Sequence, residues 1–96
     1  MSDLQKWNLL PKEYKVLLEI HIQDIKGEVP RFSSLAKSLE TKGLDKTKLH
    51  LALDNLIDMG AINASWNKTD KMWVRKFWID KNSKEFVEAL YKNMFE

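Results

Sequence analysis

Cysteine is absent from the 96 residues, so the fold contains no disulfide and no thiolate metal site. The N-terminus also lacks the apolar run of a secretory leader, and together these absences predict a reducing, cytoplasmic setting. Long apolar stretches are missing as well. Charges or amides interrupt every run before the roughly 18 residues that a membrane span requires, so no membrane association is expected. Histidine occurs only as His21 and His50, no His/Asp/Glu set has metal-ligand spacing, no glycine-rich phosphate loop is present, and no serine sits in a nucleophile motif. The chain is therefore expected to be no enzyme and to hold no cofactor. Charge of one sign is scarce too: 16 basic against 14 acidic side chains leave a formal +2, so position carries more information than total.

What the chain does have is 44% hydrophobic residues, enough for one core in a single domain spanning 1–96, with no internal repeat and no low-complexity segment. Pro11 suits the first turn of a helix, and a first helix is predicted over about 11–26. Its Tyr14, Val16, Leu17, Leu18, Ile20, Ile22 and Ile25 cover more than one stripe, so it is either central or also meets another subunit. Glu13, Glu19 and Asp24 read as its solvated face. Gly27 ends it, and Glu28-Val29-Pro30-Arg31 reads as an extended connector or short edge strand. Ser33 or Ser34 is expected to cap a second helix over about 33–42, stopped at Gly43, with Leu44 buried in the turn.

Asp45 then caps a third helix, about 45–59, in which Leu49, Ala52, Leu53, Leu56 and Ile57 give the strongest periodic signal of the chain. After Gly60 the pattern changes to alternation, which predicts a hairpin over about 61–80 with a polar turn at 67–71. A fourth helix, about 83–95, is expected to start from a Ser83 cap and to carry a Phe86, Val87, Leu90, Tyr91 and Met94 stripe. Three of the four tryptophans fall in the hairpin. Alternation predicts that at least Trp78 lies outside the core, with Trp66 as a candidate cross-strand partner. Cross-strand aromatic packing is the expected role of these indoles.

Ser34-Leu35-Ala36-Lys37-Ser38-Leu39, then Thr47-Lys48-Leu49, then Leu53-Asp54-Asn55-Leu56-Ile57-Asp58-Met59-Gly60-Ala61-Ile62 and the hairpin through Phe77-Trp78-Ile79 resemble the winged helix-turn-helix superfamily, in particular small archaeal and bacterial regulators similar to the MarR, ArsR and PadR groups. The resemblance implies an α+β fold with a three-helix core, a β-hairpin wing and a C-terminal fourth helix. It also implies double-stranded DNA as partner, the third helix lying in the major groove and the wing reaching backbone or minor groove. A homodimer through the first and fourth helices is expected by the same likeness.

Charge supplies a separate argument. Residues 31–48 hold five basic against two acidic side chains, a net +3; residues 67–81 again reach +3, and the other segments are negative. Phosphate neutralisation supplies most of the affinity of a DNA binder, and the positive excess coincides with the helix pair and the wing. The candidate DNA-binding residues are Arg31, Ser34, Lys37, Lys46, Thr47, Lys48, His50, Leu51, Lys68, Lys71 and Arg75. Against them stand Asp54 and Asp58, which would repel phosphate, and the lack of arginine or glutamine on the third helix, so base reading is expected to be weak. Two other readings compete: a winged-helix adaptor that binds protein through the hairpin aromatics or the first and fourth helices, and a single-strand or RNA binder whose exposed aromatics stack bases.

Overall fold

A computed structural model describes the backbone of residues 3–95 and the side chains of residues 5–95. In chain order the elements are α1 (Asp3–Asn8), α2 (Lys12–Ile25), α3 (Phe32–Glu40), α4 (Lys46–Asp58), β1 (Ile62–Lys68), β2 (Trp73–Ile79), a 3-10 turn at Lys81–Ser83, and α5 (Lys84–Phe95). Successive residues of a helix are about 100° apart, so burial of Val16, Leu17, Leu18 and Ile20 requires cover on nearly all sides of α2. It receives that cover from α3, α4, α5 and β2. The buried residues of α3 (Leu35, Ala36, Leu39) and α4 (Leu49, Ala52, Leu53, Leu56) recur at three- and four-residue spacing and face it. At about 1.5–3 kcal/mol for each fully buried leucine, this packing outweighs the weak intrinsic stability of helices this short.

Two glycines set the angles between elements. Gly43 (φ 81°) and Gly60 (φ 76°) both occupy the left-handed region. Each is followed by a residue whose N–H reaches back to the last helical turn: Leu44 to the Leu39 carbonyl at 3.0 Å, and Ala61 to that of Leu56 at 2.9 Å. This is the Schellman closure, which favours glycine because a Cβ is strained there. Asp45 caps α4, its Oδ1 accepting from the Lys48 N–H at 2.8 Å.

The hairpin is antiparallel in seven pairs, from Ile62↔Ile79 to Lys68↔Trp73, and Thr69 N–H donates to the Met72 carbonyl at 2.8 Å across the connecting loop. One face carries Ile62, Ala64 and Trp66 opposite Ile79, Phe77 and Arg75. Only its base is buried, through Ile62, Phe77 and Ile79; farther out the hairpin outruns the core, leaving Trp66 63% and Trp73 60% exposed. The expected Trp66–Trp78 pair does not form. Trp78 faces Asn63 and lies on the opposite side of the ribbon from Trp66, whose partner is Arg75. The connector before α3 runs beside β2, with the Phe77 N–H donating to the Pro30 carbonyl at 3.0 Å and an isolated bridge between Arg31 and Lys76.

Besides the start of α3, which begins at Phe32 with Arg31 rather than Ser33 or Ser34 at its N-cap, three features depart from the sequence expectations. Glu19 is not solvated: it is 4% exposed, ion-paired with Lys42 at 3.3 Å and accepting from Gln23 Nε2 at 3.1 Å. Gln23, equally buried, accepts in turn from the Ser34 hydroxyl at 2.8 Å. A polar chain thus ties α2 to α3, and among the described residues no buried polar side-chain atom is left without a partner. Second, α1 inserts Trp7 into the core, its ring 6.1 Å from that of Phe95 with the Lys42 ammonium 4.7 Å above it. Third, α5 starts from a 3-10 turn capped by Asp80 rather than from Ser83. It buries Val87 and Met94 and lies along α2, with Phe86 5.3 Å from Tyr14 and Tyr91 5.2 Å from His21.

Candidate nucleic-acid interface

The cap at Asp45 and the glycine closures present α4 with Leu49, Ala52, Leu53 and Leu56 inward and Lys46, Thr47, Lys48, His50, Leu51, Asp54 and Asp58 outward. The outward face is polarised. Its lysines and the helix N-terminus, which carries the positive end of the peptide dipoles, stand at one end, and Asp54 and Asp58 at the other. Asn55 is turned away, its Nδ2 donating to Glu13 on α2 at 3.2 Å.

Two concavities flank this face. One, of about 640 Å³, lies between α3 and the start of α4 and brings together Lys37, Lys46 and Thr47, with Glu40 and Asp45 also on its wall. The other, of about 330 Å³, lies between the hairpin and the helices and brings together Arg31, His50 and Arg75 with Phe32, Trp66, Met72 and Trp73. Phe32 and Ser33 line both, so the two hollows meet at the start of α3. In the second, the Phe32 and His50 rings stack with centroids 4.2 Å apart, and the Arg75 guanidinium sits 5.8 Å from the Trp66 ring and 5.1 Å from that of Phe77. Lys48 and Leu51 stand exposed on α4, Lys68 at the end of β1 and Lys71 in the loop.

Ser34 is the exception among the residues singled out from sequence. It is half-buried, its hydroxyl accepting from the Arg31 N–H at 3.0 Å while donating to Gln23, so it organises the start of α3 and has no free group for a ligand. Phe32 and Met72 were not expected to line a site, and the hairpin tryptophans were expected to do so only in the adaptor and single-strand readings. Their signal was the density of aromatics beyond the last buried pair of the hairpin. Among the described residues no group of three His, Cys, Asp or Glu side chains is placed to hold a metal ion, and no helix is long and apolar enough to cross a membrane.

No family model and no curated protein matches the chain. Among solved structures, the crystal structure of the circadian clock associated protein Pex from Anabaena superposes with a TM-score of 0.66, covering 88% of this chain and 77% of that one at 21% identity. The fold is a winged helix. In its terms α3 and α4 are the helix-turn-helix pair and the β1–β2 hairpin is the wing. The expected α+β architecture of helices, hairpin and C-terminal helix is present, with α1 added in front.

Proposed function

We propose that this winged helix is a DNA-binding transcriptional regulator that sets the N-terminal half of α4 into the major groove and rests Lys68 and Lys71 of the wing on the adjacent backbone. The observation that carries the reading is the grouping of Lys37, Lys46 and Lys48 around the start of α4 on one side and Lys68, Lys71 and Arg75 on the wing on the other. These are the two surfaces a duplex would touch on either side of a recognition helix. The acidic end of α4 gives the approach a direction: Asp54 and Asp58 disfavour phosphate, so the helix enters by its N-terminus, where the backbone dipoles add to the lysines.

With about six phosphates neutralised, the logarithm of affinity should fall against the logarithm of salt concentration with a slope of about −5. The test is a salt titration of binding to a short duplex. Lys48→Ala and Lys71→Ala should each flatten the slope by about one unit and weaken binding to all sequences alike. A wild-type protein that binds no duplex at low salt refutes the reading. A homodimer is proposed with it, formed through α2 and α5 at the edge where Tyr14 and Phe86 remain partly exposed. Light scattering that gives a monomer at high concentration removes that part alone.

A further inference from the structure

The hollow between the wing and the helices has a composition that duplex binding alone does not use. Trp66 and Trp73 lie on one face of the wing, diagonal to each other across the strands, and keep 63% and 60% of their surface in solvent. Indoles in a small fold are ordinarily drawn into the core, and the core ends at Phe77, one pair short of Trp66. The stacked rings of Phe32 and His50 line the same hollow. Arg31 and Arg75 supply positive charge, and no acidic residue lines the space. At about 330 Å³ it falls within the roughly 300–1,000 Å³ of small-molecule sites. Flat apolar walls with guanidinium groups and no carboxylate suit a planar, π-bearing, anionic guest.

We infer that this hollow stacks unpaired nucleobases, so that the protein holds a duplex together with the single strand that leaves it. The inference rests on the proposed duplex reading and names the further ligand of the same surface. A nucleic-acid guest is favoured over an acidic peptide by continuity. His50 belongs to the outward face of α4, and Phe32 and Ser33 line both hollows, so a strand leaving a duplex at α4 passes directly onto the aromatic walls. The site also makes good what α4 lacks, since base stacking needs none of the bidentate side chains absent from the helix.

The experiment compares fluorescence anisotropy for a blunt duplex, the same duplex with an overhang of about six thymidines, and the single strand alone, all at one salt concentration. Stacking contributes roughly 5- to 150-fold per base, so the overhang should tighten binding by at least about fivefold and quench tryptophan emission. Trp66→Ala and Trp73→Ala should each lower the ratio of overhung to blunt-duplex affinity, and Trp73→Phe should keep part of it. Because both indoles are mostly exposed, thermal melts of the variants should match wild type, and either variant suffices if the other does not fold. Equal affinity of wild type for blunt and overhung duplex overturns the inference and points to a protein guest in the hollow. Binding of the overhung and single-stranded probes with no binding of the blunt one keeps the stacking site and overturns the duplex reading instead.

Discussion

Replacing Lys42 by methionine tests whether the buried polar chain holds the helix-turn-helix to the core. Lys42 lies at the end of the α3 region, and its ammonium reaches Glu19 Oε2 at 3.3 Å, the Ser38 carbonyl at 3.4 Å and the face of Trp7 at 4.7 Å. Methionine keeps the apolar stem beside Trp7 but strands the Glu19 carboxylate, whose side chain is only 5% exposed. Removing one partner of a buried pair costs about 3–5 kcal/mol. The Lys42 side chain retains 22% of its exposure and Gln23 still donates to Glu19, so the cost falls below that range and about 2–3 kcal/mol is expected. For a domain of this size that is a fall in Tm of about 10–20 °C by circular dichroism.

Glu19→Gln removes the charge along with the pair and should cost only about 1 kcal/mol. Combining Lys42→Met with Glu19→Leu should recover part of the loss, because no charge is stranded although the buried Gln23 amide loses its acceptor. A Lys42→Met protein within about 0.5 kcal/mol of wild type would refute the reasoning, since the carboxylate would then have another partner or enough water.

Two further outcomes follow from the wing and its exit. Phe77→Ala, at a residue 1% exposed, should cost about 3–5 kcal/mol in urea unfolding and loosen the wing from the core, whereas Trp66→Ala should cost far less. The Asp80 carboxyl is held below the ordinary aspartate range, first by the Asn63 side-chain amide at 3.0 Å and then by the Asn82 backbone N–H at 3.0 Å. A depressed folded pKa means stabilisation that is present above the unfolded value and lost as pH falls through the folded one. The stability difference between wild type and Asp80→Asn should therefore shrink below the ordinary aspartate range, as thermal melts against pH would record.

The parts of this fold legible in sequence are those governed by local rules. Apolar spacing exposed the buried stripe of α4, Gly43 and Gly60 marked both helix ends, and the shift from helical to alternating pattern located the wing. What escaped depends on residues far apart in the chain. Glu19 reads as solvated because Lys42, which neutralises it, lies 23 positions away. Six residues were too short for periodicity to reveal α1. Alternation put Trp78 outside the core but offered Trp66 as its partner from the opposite face, and nothing in the local pattern says where the core stops. Ser34 could equally have capped a helix or met a phosphate; its commitment to Gln23 is a tertiary fact. The basic residues at the start of α4 and along the wing were readable from charge counting, but the aromatic hollow between them was not.

Amide chemical-shift mapping during titration with a short duplex shows whether α4 and the wing form the proposed nucleic-acid surface. Shifts are expected to concentrate in residues 46–51 and 68–75, fading toward Asp54 and Asp58, with α5 unaffected. Shifts confined to α2 and α5, with residues 46–51 unchanged at saturation, would contradict it.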